Sequence, residues 1–117
     1  MFPPIPEISV RTLSEKRKAA EKFILLDVRE PWEIDLARII DEQVVILPMS
    51  RIARERMEAF PLPLRDPQEE IVVMCHHGVR SAEVTGWMRQ QGWQNVFSLA
   101  GGIAAYAEQV DPSVGKY

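Results

Sequence analysis

Short continuous apolar runs alternate with helix-compatible segments along the whole chain, and this alternation constrains the fold more than any other feature. The runs are Phe23-Ile24-Leu25-Leu26-Asp27-Val28, Gln43-Val44-Val45-Ile46-Leu47, Ile71-Val72-Val73-Met74 and Asn95-Val96-Phe97-Ser98-Leu99. They are rich in β-branched residues, and they are continuous rather than alternating apolar and polar. That is the pattern of strands covered on both faces, as in a parallel sheet. A shorter segment, Glu7-Ile8-Ser9-Val10, does alternate and reads as an edge strand.

The segments between the runs carry helix signals. Thr12 or Ser14 can cap a helix reaching about Lys22, with a solvated face of Glu15, Lys16, Arg17, Lys18 and Glu21. Pro31 suits a first helical turn, and the helix would carry Trp32, Glu33, Ile34 and Leu36; Glu30 before it favours the helix dipole. Ser50 can cap a helix over Arg51–Phe60, broken by the proline-rich connection Pro61–Pro67. A helix starting near Ser81 presents Val84, Trp87, Met88 and Gln91 at spacings of three and four, and stops at Gly92. Ala100-Gly101-Gly102 turns into a last helix, Ile103 to Val110, ended by Asp111-Pro112, with an extended tail to Tyr117. The predicted order β-α-β-α-β-α-β-α-β-α gives an α/β domain of three layers, α/β/α, around a mostly parallel five-stranded sheet.

With 117 residues, the expected organisation is a single domain over residues 5–117 and an extended N-terminal lead-in at residues 1–4. Hydrophobic residues make up 46% and charged residues 26%, a globular rather than disordered composition. The net charge of −3 is mixed along the chain, without the clustered basic face that nucleic acid would need. One cysteine excludes an internal disulfide and a cysteine-rich metal framework. No signal-peptide pattern opens the chain and no apolar run is long enough for a membrane span, so the expected location is cytoplasmic, with no nucleic-acid or membrane partner.

The chemistry concentrates in Met74-Cys75-His76-His77-Gly78-Val79-Arg80-Ser81. A strand feeding a helix through a tight loop aims several N–H groups at one point, at the positive end of a helix dipole. A thiol placed there favours the thiolate, which is the nucleophile. Gly78 permits a positive φ and Arg80 brings a permanent positive charge. An unreactive core cysteine is the common alternative for a lone Cys at a strand end. Two imidazoles, a glycine and an arginine before the next helix argue for an anion-binding loop instead.

Four residues separate Cys75 from Arg80. Cysteine phosphatases use a similar cradle with one residue more, enough to surround a phosphate. The tighter ring suits one extra sulfur on the cysteine, a persulfide whose outer atom carries the charge. The reaction is then ping-pong, and it calls for no metal or organic cofactor. The Cys75 thiolate takes sulfur from a small-molecule donor such as thiosulfate, and a thiol or protein acceptor removes it. His76 and His77 could recognise an anionic donor or simply fill the loop. Asp27 and Arg29 could touch substrate, but charge-assisted bonds that lock neighbouring loops are the preferred role. In a parallel sheet, ligands bind at the carboxyl ends of the strands, where Asp27-Val28-Arg29, Cys75 and Ala100-Gly101-Gly102 all fall.

Asp27-Val28-Arg29-Glu30 with Trp32-Glu33, Val73-Met74-Cys75-His76-His77-Gly78-Val79-Arg80-Ser81, and Leu99-Ala100-Gly101-Gly102-Ile103 together resemble the rhodanese domain from end to end. The resemblance implies a five-stranded parallel sheet between helices and a sulfurtransferase with the persulfide on Cys75. It also implies an active-site loop over residues 76–80, with Arg80 at a frequently basic position. The loop and the ending Glu108-Gln109-Val110-Asp111-Pro112-Ser113 are similar to the rhodanese module that trails the adenylating sulfur-transfer enzymes of molybdopterin and thiamine biosynthesis. One segment departs: the family usually has Gly-His-Ile-x-Gly-Ala where this chain has Ala37-Arg38-Ile39-Ile40-Asp41-Glu42. Two other classes remain beside the enzyme, a non-catalytic binding or sensing module on the same fold and a related phosphatase or arsenate reductase.

Overall fold

The computed structural model describes residues 4–117. The lead-in expected at residues 1–4 therefore lies, apart from the exposed Pro4, outside the described residues. Five strands form one sheet: β1 (Glu7–Ile8), β2 (Ile24–Asp27), β3 (Val44–Ile46), β4 (Ile71–Met74) and β5 (Val96–Leu99). Every pairing is parallel, in the order β1-β5-β4-β2-β3. The helices are α1 (Val10–Lys18), α2 (Pro31–Ile34), α3 (Met49–Glu55), α4 (Val79–Gln91) and α5 (Gly102–Gln109). The α/β architecture read from the alternation is the one observed.

Side-chain alternation along each strand divides the core in two. Leu26, Ile71, Val73 and Val96 pack with Ile52, Phe60, Val84 and Met88 on one face. Leu25, Val72, Met74 and Leu99 pack with Val10, Leu13, Ile103 and Tyr106 on the other. All four side chains of β4 are completely buried. At about 1.5–3 kcal/mol each, an upper range, their burial makes β4 the most firmly held strand. Cys75 follows it directly.

Topology selects where a ligand can sit. After β2 the chain adds β3 on one side, then returns to place β4 on the other side of β2. The order reverses between β2 and β4, and in such sheets the crevice lies at the carboxyl ends of those two strands. The register pairs Asp27 with Met74, and the Val28 N–H donates to the Met74 carbonyl at 3.0 Å. Segment 28–33 and the Cys75 loop therefore start side by side.

Several local expectations are corrected. The α1 cap is Ser9, whose hydroxyl accepts from the Thr12 N–H, rather than Thr12 or Ser14, and the helix ends at Lys18. Helix α2 stops at Ile34, leaving Leu36 outside it and exposed. Pro48, not Ser50, precedes α3, and a 3-10 turn at Arg56–Ala59 replaces the end of the expected helix. The Pro61–Pro67 connection holds a second 3-10 turn, Leu62–Arg65. Helix α4 begins at Val79, so the loop after β4 is shorter than the Cys75–Arg80 span. The tail is not simply extended. It forms a 3-10 turn at Pro112–Val114, bridges Gly115 to Ala37, and brings Tyr117 back against the Cys75 loop.

Candidate active site

The sulfur of Cys75 is met by main-chain donors. The Gly78 N–H points at Sγ at 3.1 Å and the Ser81 N–H at 3.3 Å; the Ser81 hydroxyl lies 3.4 Å away. Ser81 Oγ is in turn 2.8 Å from Ser98 Oγ on β5. Cys75 is only 1% exposed. Negative charge at so covered a sulfur is tolerable only with such donors around it. The first N–H groups of α4, those of Val79 and Arg80, have no preceding helical carbonyl to bind and sit at the positive end of the helix dipole.

The loop faces this way because its carbonyls are taken up elsewhere. The Ile103 N–H donates to the Cys75 carbonyl at 2.9 Å and the Ala104 N–H to the His76 carbonyl at 3.1 Å. With the start of α5 holding the carbonyls on one side, the amides turn to the other. Gly102 makes this approach possible: a Cβ there would collide with the main-chain oxygens of Cys75 and His76. Gly78 turns the chain into α4 at φ +100°, open to glycine and costly to other residues.

Arg80 does not stand free. Its guanidinium makes a two-pronged ion pair with Glu33 on α2, with both bonds at 2.7 Å. These bonds, partly offset by burial, hold the Glu33 carboxyl down at about 2. Glu33 also accepts from the Tyr117 hydroxyl at 2.9 Å and from the Glu30 N–H at 2.9 Å. Asp27 and Arg29 form a second, fully buried pair, with Arg29 Nε and Nη2 reaching the carboxylate at 3.0 and 2.8 Å. Arg29 Nη1 adds bonds to the Glu33 carbonyl and the Tyr117 hydroxyl, both at 3.3 Å. One continuous network thus joins β2, α2, the tail and the first turn of α4. Asp27 and Arg29 lie beneath the crevice and lock its walls.

His76 and His77 take different positions. The His76 ring is stacked between His77 and Tyr117, each centroid 3.8 Å away, and its Nε2 lies 2.9 Å from the Tyr117 main-chain oxygen. That bond places the proton on Nε2, an assignment made from geometry. Burial, then the neighbouring His77 charge, push His76 below the usual imidazole range. His77 is exposed, as is Val79 at 68%. The structure gathers Cys75, Gly78, Arg80 and Ser81 about one point, and leaves His77 and Val79 at its mouth.

Three participants were not singled out from sequence as part of the site: Glu33, Ser98 and Tyr117. Glu33 had a usable signal, an acid in the first turn of the helix that follows a strand's carboxyl end, in a site expected to hold two arginines. Ser98 had a weaker one, a lone polar residue inside an apolar strand. Tyr117 had none, since its contact depends on how the tail folds back.

The chain matches the rhodanese-like domain family over residues 9–109, and it belongs to that family. It is 34% identical to a sulfurtransferase of Allochromatium vinosum, over 94% of this chain and 95% of that protein. It is 32% identical to rhodanese-like/PpiC domain-containing protein 12, chloroplastic, of Arabidopsis thaliana, over 97% of this chain but only 38% of that longer protein. Among solved structures, a rhodanese-related protein from Thermoplasma volcanium aligns with a TM-score of 0.71 at 31% identity, covering 90% of this chain and 93% of that one. Among the described residues, no helix is long and apolar enough to cross a membrane.

Proposed function

We propose that the protein is a rhodanese-type sulfurtransferase that carries sulfane sulfur as a persulfide on Cys75. The donor is thiosulfate or another persulfide; the acceptor is thiophilic, such as cyanide, a thiol or a protein. The observation that carries this reading is the pair of N–H groups, from Gly78 and Ser81, aimed at the Cys75 sulfur. Membership of the rhodanese-like family and similarity to a protein named sulfurtransferase support it.

In the first half-reaction the Cys75 thiolate attacks the sulfane sulfur of the donor, and the donor's remaining group leaves with the bonding pair. The outer sulfur then bears the charge, facing the unbonded amides at the start of α4. In the second half-reaction the acceptor attacks that outer sulfur and Cys75 leaves as thiolate, a ping-pong cycle. No metal or organic cofactor takes part in this scheme, and neither nucleic acid nor membrane is a partner. A reducing cytoplasm would keep the single thiol in working form.

Incubation with a sulfane-sulfur donor followed by intact-mass measurement tests the reading. A gain of one sulfur, about 32 Da, removable by dithiothreitol and absent in Cys75→Ser, is expected of covalent sulfur transfer. An unchanged mass, or turnover of phosphate esters in its place, would overturn it.

A further inference from the structure

Two buried hydroxyls stand in a row behind the Cys75 sulfur. Ser81 Oγ, in the first turn of α4, is 3.4 Å from Sγ, and Ser98 Oγ on β5 is 2.8 Å from Ser81 Oγ. Both serines are completely buried. Among the described residues, Ser81 Oγ is the single partner of the Ser98 hydroxyl. Thr85, one turn further along α4, is as deeply buried, and its hydroxyl bonds to neither.

The number of protons fixes the direction of this row. A buried hydroxyl proton without an acceptor is costly, so the Ser98 proton lies on the line to Ser81 Oγ. The Ser81 proton is then left to the Cys75 sulfur, an assignment made from partner geometry. Sγ thus collects three donors: the Gly78 N–H at 3.1 Å, the Ser81 N–H at 3.3 Å and the Ser81 hydroxyl. The Val79 and Arg80 N–H groups remain for an outer sulfur.

We infer that Ser98 is a positioning residue for the second half-reaction: its hydroxyl aims the Ser81 proton at Sγ, and that bond stabilises Cys75 as the leaving thiolate. The inference rests on the sulfurtransferase reading and goes beyond it. With cyanide as acceptor the step is Cys75–S–S⁻ plus CN⁻ giving Cys75–S⁻ plus SCN⁻. The cyanide carbon bonds to the outer sulfur with its own electron pair, the S–S bond breaks, and the pair of that bond stays on Sγ. In the persulfide the charge sits on the outer sulfur, so a donor on Sγ gains little. Charge grows on Sγ toward the transition state, and there the Ser81 hydroxyl bond strengthens. Loading runs the other way: the Cys75 thiolate gives up its charge to the new bond, so the same hydroxyl does not assist the attack. Without Ser98, the Ser81 proton can turn back to a main-chain carbonyl of the preceding turn, as serines inside helices do.

Single-turnover measurements by intact mass separate the two halves: uptake of sulfur from thiosulfate and, in a parallel series, from cysteine persulfide, then its removal by cyanide. The single cysteine makes each gain or loss of sulfur a report on residue 75. In Ser98→Ala, removal is expected to slow about tenfold or more, the scale of a hydrogen bond to a charged group, while uptake stays within about threefold of wild type or rises. A loop merely loosened by the substitution would slow both halves. Ser81→Ala should slow removal at least as much, and Ser81→Ala/Ser98→Ala no more than Ser81→Ala alone, because Ser98 acts through Ser81. Ser98→Gly removes the same hydroxyl and gives a second reading should Ser98→Ala pack poorly. Removal at the wild-type rate without the Ser98 hydroxyl, equal slowing of both halves, or independent effects of the two serines overturns the inference and leaves sulfur transfer intact. Failure of the wild type to take up sulfur from either donor overturns the sulfurtransferase reading itself.

Discussion

Gly102→Ala isolates the contact that turns the Cys75 loop. Gly102 sits at φ +62°, and its missing side chain is where the main-chain oxygens of Cys75 and His76 approach. Alanine there meets two costs. The left-handed conformation costs about 1–2 kcal/mol. Relieving the collision pushes the loop off α5 and weakens the Ile103–Cys75 and Ala104–His76 bonds, at about 0.5–1.5 kcal/mol each. The sum is about 2–5 kcal/mol. Gly92→Ala is the control: its φ is +115°, but nothing lies within 4 Å of an added Cβ, so only the conformational cost of about 1–2 kcal/mol applies. Urea denaturation of both variants measures the difference, and persulfide loading of each reads the loop. Gly102→Ala is expected to load roughly a hundredfold more slowly, the usual scale for an ångström-sized displacement of reacting groups, with Gly92→Ala close to wild type. Equal stability and equal loading in the two variants would refute the claim that α5 aims the loop.

The buried pair beneath the crevice gives a second expectation: Arg29→Met leaves the Asp27 carboxylate without its partner and should cost about 3–5 kcal/mol in urea denaturation, with Asp27→Leu/Arg29→Met recovering part of it. Tyr117→Phe keeps the stack on His76 but removes the hydroxyl from Glu33 and Arg29, costing about 1–2 kcal/mol; Tyr117→Ala should cost more by the same assay. The Glu33–Arg80 pair sets an acid limb of stability. Glu33 titrates at about 2 in the folded protein, against an ordinary value of 4.5, so its contribution is complete above about pH 5. That contribution, on the order of 3 kcal/mol, is lost as pH falls from 4.5 toward 2. Arg80→Met should flatten this limb in a pH series of denaturation curves.

The sheet was readable because its strands are continuous apolar runs, a local property. Ile71–Met74 and the cysteine after it could be placed without knowing any long-range contact. The loop could be read in part for the same reason: the strand, Gly78 and the helix beyond it put the amides at the carboxyl end of β4, but their direction is set by α5, whose Ile103 and Ala104 N–H groups take the Cys75 and His76 carbonyls. Helix starts were less legible. Ser9, Thr12 and Ser14 all suit a cap, and the choice of Ser9 follows from packing of Val10 and Leu13 on β5 and α5, which the local sequence does not encode. The state of Arg80 was the least legible part of the site. Its charge could be read, but its neutralisation depends on α2 lying beside α4 across the switch between β2 and β4. Tyr117 reaches His76 and Glu33 only through a tail pinned by Arg38 and Ala37, a contact with no periodic signature.

A crystal structure of the sulfur-loaded protein tests most directly whether the amides after β4 hold an anionic sulfur. The outer sulfur is expected on Cys75 Sγ, within hydrogen-bond distance of the Val79 or Arg80 N–H, with the Gly78 and Ser81 donors retained. An outer sulfur directed into the apolar cluster of Leu26, Val28 and Val73, with those amides bonded elsewhere, would contradict it.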